Sequence, residues 1–190
     1  MKLKDKQDII TLIQNDTWMM DILQTAASLQ LPDWWVCAGF VRSKVWDVLH
    51  GFEERTPLPD IDIIYFDAAN TDEQIEKQLE QKLQIINSTI PWSVKNQARM
   101  HLVNDLPPYL SSTDAMSKFP ETVTALGAKL DENENVILSA PNGIQDLLAL
   151  EVKPAPHIKT DELIHLYEER LCKKNWKATW SNITLFHVNI

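Results

Sequence analysis

The 190-residue sequence predicts an α/β (α+β) fold, in which helices pack on a small mixed sheet. Three observations indicate this class. A short apolar run at 34–38 has the length of a buried strand, the stretch 60–66 has the pattern of a second strand, and amphipathic patterns of helical spacing follow each of them. The stretch 126–138 has the pattern of a β-hairpin. A chain of this length buries a full hydrophobic core as one unit, so we expect a single domain over residues 1–190.

Helices are predicted at both ends of the chain. In segment 1–30, apolar residues recur at helical spacing, and Asn15-Asp16-Thr17 supplies a break and an N-cap between two helices. Segment 31–155 is the expected core. Segment 156–190 is expected to hold one C-terminal helix, from about Asp161 to Trp176, and a tail.

The elements of the core follow from local patterns of apolar, cap and turn residues. In chain order we expect the strand 34–38 ending at Gly39, the helix 40–50 closed by Gly51, the strand 60–66, the helix 71–87, a strand at 92–95, short helices at 98–103 and 113–118, the hairpin 126–138, a short helix at 143–148 and a strand at 149–152.

The net charge of −9 argues against an extended nucleic-acid surface, because phosphate backbones are bound mainly through clustered Lys and Arg. A small anion in one local pocket remains compatible with this charge. No apolar stretch is long enough to span a bilayer, and the N-terminal residues carry no apolar signal core. We therefore expect a cytoplasmic protein with no membrane partner.

Two aspartates open the second predicted strand. Side chains two positions apart in a strand point to the same face, so Asp60 and Asp62 would stand side by side while Ile61 and Ile63 face the core. Paired carboxylates are ligands that Mg²⁺ prefers. The alternative is that both aspartates only solvate the start of the strand.

The helix after Gly39 begins with free backbone N–H groups and the positive end of its dipole, a combination that binds anions. Gly39 would allow close approach of a phosphate, Arg42 would donate a charge-assisted bond to it, and Ser43 would add a hydroxyl. The alternative is a tight turn at Gly39 with a solvated arginine.

These two features together resemble a known family. The stretch 38–42, the glycine at 51 and Asp60-Ile61-Asp62 resemble the Gly-Gly-x-Val-Arg-Asp…Gly…Asp-x-Asp signature of the DNA polymerase β-like nucleotidyltransferase superfamily, in its tRNA CCA-adding branch. The stretch 122–147, which ends in Gly-x-x-Asp-Leu, resembles the same branch. The segments 41–51 and 96–101 are similar to a bacterial family of small nucleotidyltransferase-like proteins, and the resemblance runs from about 35 to 180.

The resemblance implies a transferase that uses a nucleoside triphosphate (NTP) with Mg²⁺ or Mn²⁺. Asp60 and Asp62 would be the catalytic metal ligands. Gly39, Arg42 and Ser43 would contact the triphosphate.

The sequence departs from the family pattern at several places. Ala38 replaces the first glycine, Ser43 replaces an acid, and the strand 92–96 lacks the third carboxylate. This favours, as an alternative, a nucleotide-binding or regulatory module that has lost catalysis. The candidates for a third acid at the site are Asp105, Asp114 and Glu121.

Two further groups of residues are candidates for ligand contact. Arg99 and His101, on one predicted helix, would reach substrate or else play a surface or capping role. A basic, aromatic patch near the C-terminus would stack a base, or else only mark a helix end that favours cations. Its members are Arg170, Lys173, Lys174, Trp176, Lys177 and Trp180.

Overall fold

The computed structural model describes residues 3–188 and contains a mixed α/β fold. Its helices are α1 (Lys6–Gln14), α2 (Thr17–Ser28), α3 (Gly39–His50), α4 (Glu73–Ile86), α5 (Gln97–Val103), α6 (Ser112–Ser117), α7 (Gln145–Leu148) and α8 (Asp161–Lys174). Its strands are β1 (Trp35–Cys37), β2 (Ile61–Tyr65), β3 (Trp92–Asn96), β4 (Gly127–Leu130), β5 (Val136–Ser139), β6 (Glu151–Val152) and β7 (Thr184–Leu185). Within residues 3–188, no helix has the length and apolar character needed to cross a membrane.

The predicted fold class is confirmed, with shifts of a few residues at the element ends. The sequence did not predict β7, which pairs in parallel with β6, or the 3₁₀-helix Trp176–Ala178. Elements of two or three residues are too short to show a periodic pattern. Asp60 lies immediately before β2 rather than inside it.

Five strands form the main sheet in the order β3-β2-β1-β4-β5. β2 and β3 are parallel and are joined through α4, whereas β1 runs antiparallel to both of its neighbours. The register places Asp62 beside Ser93 and Ile64 beside Lys95. The sheet is therefore mixed, as predicted.

The two faces of the sheet have different surroundings because side chains alternate along each strand. On β2, Ile61 and Ile63 are fully buried in the main hydrophobic core, whose members extend from Leu3 to Ile183. Ile64 points to the opposite face and packs in a much smaller cluster with Trp35. The sheet thus has one thickly covered face and one thinly covered face.

The outer edge of β3 is covered by α4. Glu76 accepts a hydrogen bond from the backbone N–H of Asn96 at 2.9 Å, and Glu80 accepts one from Val94 at 3.0 Å. These carboxylates satisfy edge N–H groups that would otherwise be open to pairing with another chain.

The C-terminal region packs against α3 through tryptophans. The ring of Trp46 meets the rings of Trp176 and Trp180 edge-on, at centroid distances of 5.9 and 5.2 Å. Its indole N–H also donates to the carbonyl of Leu147 at 3.2 Å. These contacts fix the segment after α8 beside the middle of α3, one helical turn from Arg42 of the predicted anion site.

Candidate functional site

A cleft of about 820 Å³ opens on the thinly covered face of the sheet. Its lining comes from the end of the loop before β2, from β2 and β3, from the N-terminus of α3, from α5, and from one face of α8. Five of the residues predicted to act on substrate or metal line this single cleft: Gly39, Arg42, Ser43, Asp60 and Asp62.

Asp60 and Asp62 lie in this cleft as the alternation of a strand predicts. Asp60 is exposed and Asp62 is half-buried, and both line the cleft, whereas Ile61 and Ile63 between and beyond them are fully buried. Burial, together with the negative charge of Asp60, raises the pKa of Asp62. Two carboxylates that line one cleft are ligands of the kind that a divalent cation prefers.

The N-terminus of α3 faces the same cleft. Ala38 precedes it at φ 52°, and its carbonyl accepts from the N–H groups of Val41 and Arg42 at 3.2 and 3.0 Å. No side chain of residues 3–188 caps this helix, so its first N–H groups, those of Gly39 and Phe40, are available to a ligand.

Gly39 is not required by packing. A Cβ atom at this position would lie 3.5 Å from Arg42 Nη2 and from Leu58 Cδ2, which is ordinary van der Waals contact. The space beside Gly39 belongs to the cleft, so a bound group can approach the backbone closely at this position.

Arg42 is held in an aromatic cage formed by Trp46, Trp176 and Trp180. Its guanidinium carbon lies 5.3, 4.5 and 5.8 Å from the three ring centroids. Its side chain is only 7% exposed, its Nη2 donates to Ser43 Oγ at 3.4 Å, and its Nε has no partner among residues 3–188.

Burial lowers the pKa of Arg42 to about 10, against the opposing effect of Glu121, so the side chain stays charged at neutral pH. Cation–π contacts stabilise this charge without neutralising it. A buried cation with an unpaired N–H, lining a cleft beside a helix N-terminus, is suited to binding an anion.

All members of the C-terminal basic patch except Lys177 line the cleft. Arg170, Lys173 and Lys174 line the cleft along one face of α8, while Trp176 and Trp180 form part of the cage around Arg42. The spacing of three and four residues between the cations was the available signal that they share one helix face. Sequence alone did not show which way this face points.

Arg170 is already neutralised. Its Nε donates to the fully buried carboxylate of Glu121 at 2.9 Å, and the hydroxyl of Thr124 donates to the same carboxylate at 2.8 Å. The pair joins α8 to the loop before β4, so Arg170 acts mainly by positioning the helix.

Arg99 and His101 are not among the residues that line the cleft. Arg99 donates two hydrogen bonds of 2.7 Å to Glu76, which lies on α4, and the ring of His101 meets that of Tyr109 edge-on at 6.1 Å. The structure therefore brings Gly39, Arg42 and Ser43 to the aspartates but separates Arg99 and His101 from them.

Among the described residues, no third carboxylate joins the aspartate pair. Glu121 is bound by Arg170, Asp114 accepts from the N–H of Leu110 at 2.9 Å, and only Asp105 lines the cleft. On β3, the strand on which the third carboxylate was expected, the Nζ of Lys95 lies 3.3 Å from Oε1 of Glu80. Within residues 3–188, no group of three His, Cys, Asp or Glu side chains is arranged to hold a metal ion.

A family model and several solved structures are similar to this chain. A family model described as nucleotidyltransferase matches residues 24–185. A structure solved by NMR, described as revealing a CCA-adding enzyme head domain, is 36% identical, covers 98% of both chains and superposes with a TM-score of 0.88. None of the curated proteins matches the sequence.

More distant structures share the fold. A CCA-adding enzyme solved with CTP is 11% identical with a TM-score of 0.58, and covers 98% of this chain and 44% of its own. The corresponding structure with ATP is 13% identical with a TM-score of 0.54, covering 97% and 42%. The present chain thus spans less than half the length of these enzymes. Because the family model covers most of the chain, and the NMR structure is similar over nearly all of it, the chain belongs to the nucleotidyltransferase family.

Proposed function

We propose that the protein is a Mg²⁺-dependent nucleotidyltransferase that moves a nucleoside monophosphate from an NTP to an acceptor hydroxyl or phosphate. An acceptor oxygen forms a bond to the α-phosphorus, the bond from that phosphorus to the bridging oxygen breaks, and pyrophosphate leaves. The observation that carries the proposal is that Asp60 and Asp62 share one cleft with the caged cation of Arg42 and the uncapped N-terminus of α3.

The two aspartates fit a Mg²⁺ ion, or Mn²⁺ in its place. Mg²⁺ is commonly held by one or two carboxylates, with substrate phosphates and water completing its shell. Burial and the negative charge of Asp60 raise the pKa of Asp62, and a cation held by the two carboxylates would favour their charged forms. When bound, the ion would neutralise charge on the transferring phosphoryl group.

The remaining residues of the site would bind and orient the triphosphate. The N–H groups at the start of α3 and the guanidinium of Arg42 are donors that match phosphate oxygens, and Ser43 supplies a hydroxyl beside them. This arrangement would hold the phosphates against the aspartate pair and place the leaving pyrophosphate among fixed donors.

A second function is favoured by one observation. Because no third carboxylate joins Asp60 and Asp62 within residues 3–188, an evident general base for the acceptor hydroxyl is missing. The protein would then be a nucleotide-binding or regulatory module of the same fold that binds NTPs without turnover.

The test is calorimetric titration of Mg²⁺ and each NTP into the wild type and into a variant that carries Asp60→Asn and Asp62→Asn. We expect binding that needs Mg²⁺ and is lost in the variant. Asp21→Asn, a change at an exposed position of α2, is the matched control and should bind like the wild type.

Pyrophosphate release, measured with a pool of small-molecule and nucleotide acceptors, then separates the two functions. Release that the double variant abolishes supports the transferase, whereas Mg²⁺-dependent binding without release supports the binding module. Absence of NTP binding by the wild type would contradict both.

A further inference from the structure

The last residue of α8, Lys174, is fixed beside the cleft from both sides. Four residues before it, Arg170 donates to the buried carboxylate of Glu121 at 2.9 Å. Two residues after it, the ring of Trp176 lies 4.5 Å from the guanidinium carbon of Arg42. Lys174 itself lines the cleft with an exposed side chain. Its backbone is therefore held next to the caged arginine, whereas its side chain is open to a ligand.

The rotation of α8 is set by its buried residues. Tyr167 and Leu171 are buried, and the hydroxyl of Tyr167 donates to the carbonyls of Val152 and Phe186 at 3.2 and 2.7 Å. Residues three and four apart share one side of a helix. Because Lys174 follows Leu171 by three residues, it lies on the side of α8 that is turned toward the rest of the protein.

Two lysines act on Asp62, and other carboxylates already bind one of them. Burial raises the pKa of Asp62, and the charges of Lys174 and Lys95 oppose this effect. The Nζ of Lys95 lies 3.3 Å from Glu80 and 3.6 Å from Glu76. Lys95 is thus held away from a ligand by the carboxylates of α4.

The other cations of α8 that line the cleft are also paired. Arg170 is bound by Glu121, and the Nζ of Lys173 lies 3.2 Å from Glu169. Lys174 forms no ion pair with any residue of 3–188. Within this described part of the chain, it is the cation of α8 that lines the cleft without a carboxylate partner.

We infer that Lys174 is a further ligand-binding residue of the candidate site, and that its ammonium binds phosphate oxygens of the NTP together with Arg42. An ammonium on a flexible stem carries three N–H donors and suits phosphate as a point charge. The inference rests on the proposed function, and it applies equally to the transferase and to the module that binds without turnover. A lysine at a helix C-terminus also stabilises the helix dipole, but that role alone changes stability rather than affinity.

The charge of Lys174 should have opposite effects on two ligands. It repels a divalent cation that binds alone to Asp60 and Asp62, because both charges are positive, whereas it attracts the phosphates that arrive with the cation. Removal of the charge should therefore weaken the binding of an NTP with Mg²⁺ without weakening the binding of a divalent cation alone. A lysine that only supported the shape of the site would affect both ligands in the same direction.

The experiment is a set of calorimetric titrations of the full chain at about 0.15 M salt, where distant surface charges are screened. The probes are each NTP with Mg²⁺, inorganic tripolyphosphate with Mg²⁺, and Mn²⁺ alone. We expect Lys174→Gln to bind the NTPs and tripolyphosphate roughly ten-fold more weakly than the wild type, because a charge-assisted bond is lost. The same variant should bind Mn²⁺ at least as tightly as the wild type.

Two further variants separate charge from shape. Lys174→Arg keeps the cation and should restore the affinity for tripolyphosphate to within about three-fold of the wild type. Lys177→Gln is the matched control, because it removes the same charge three residues away, at an exposed position that does not line the cleft. This control should bind every probe like the wild type.

The outcomes distinguish this inference from the proposed function. If the wild type binds the NTPs and Lys174→Gln binds them as tightly as Lys177→Gln does, the inference is wrong and the proposed function stands. A loss that Lys174→Arg does not restore, or weaker Mn²⁺ binding by Lys174→Gln, also overturns the inference, because either result indicates a role in shape rather than charge. If the wild type binds neither tripolyphosphate nor any NTP with Mg²⁺, the proposed function fails and the inference fails with it.

Discussion

The indole N–H of Trp180 donates a hydrogen bond of 2.9 Å to Asp47 Oδ1, across 133 residues of sequence. Thr56 donates to the same buried carboxylate twice, from its hydroxyl at 2.6 Å and from its backbone N–H at 2.9 Å. Asp47 thereby joins a ring of the cage around Arg42 to the loop that leads into Asp60. The two halves of the candidate site are thus held together by one side chain outside it.

We predict that Asp47→Ala lowers the free energy of unfolding by about 2–4 kcal/mol, because one buried donor and two half-buried donors lose their acceptor. Urea unfolding measures this change. Trp180→Phe removes one of the three bonds and should cost less than Asp47→Ala. A value for Asp47→Ala within about 0.5 kcal/mol of the wild type would contradict the structural role given to Asp47.

Replacement of Ala38 by glycine should stabilise the protein. Ala38 has φ 52° and ψ −113°, which is unfavourable for any residue with a Cβ atom. Ala38→Gly relieves this strain, and we expect a gain of about 1 kcal/mol in the free energy of unfolding. Ala27→Gly in α2 is the control and should lose about 1 kcal/mol, because its backbone is helical. Equal losses for both would show that Ala38 is not strained.

Sequence reasoning identified the parts of the site that depend on local periodicity. Asp60, just before β2, and Asp62, within it, alternate with the buried Ile61 and Ile63, and this pattern alone predicted that the aspartates face away from the core. The N-terminus of α3 followed from Gly39 and the apolar spacing after it.

Ion pairs between residues that are far apart in the sequence were not predictable. Arg170 meets Glu121 across 49 residues, and Arg99 meets Glu76 across 23, through the packing of whole helices. Local patterns show that a side chain is charged but not which buried carboxylate it will reach. This is why the sequence makes Arg99 a candidate for substrate contact as well as Arg42, although of these two residues only Arg42 lines the cleft.

Arg170→Met should destabilise the protein by about 3 kcal/mol, because it leaves the fully buried charge of Glu121 without its cationic partner and with only the hydroxyl of Thr124 as a donor. Adding Glu121→Gln to Arg170→Met should recover part of this loss, since the uncompensated charge is then gone. A double-mutant cycle from chemical denaturation gives the coupling. Additive losses would indicate that the pair does not hold α8 in place.

The stability of the protein should fall in mild acid through His157. Burial, with a smaller contribution from the charge of Lys118, lowers the pKa of His157 below its usual 6.5. The unfolded chain therefore takes up a proton before the folded protein does, so stability is unaffected above pH 6.5 and decreases as the pH falls through and below it. His157→Asn should remove this part of the decrease, whereas His165→Asn, at an exposed position on α8, should leave it. Identical profiles for all three proteins would contradict the assignment.

The aspartate pair should cost stability when no metal is bound. Asp62 is half-buried beside the charge of Asp60, so Asp62→Asn removes both the burial of a charge and a repulsion. In the presence of a chelator, we expect this variant to unfold with a free energy higher than the wild type by on the order of 1 kcal/mol. Asp67→Asn is the control, because Asp67 follows the other end of β2 and accepts a bond from the N–H of Ala69 at 2.9 Å, so this variant should not be more stable than the wild type.

Added Mg²⁺ should raise the melting temperature of the wild type and not that of Asp62→Asn, since only the wild type has the complete pair. A variant that is less stable than the wild type in chelator would show that the two carboxylates serve the fold rather than a cation.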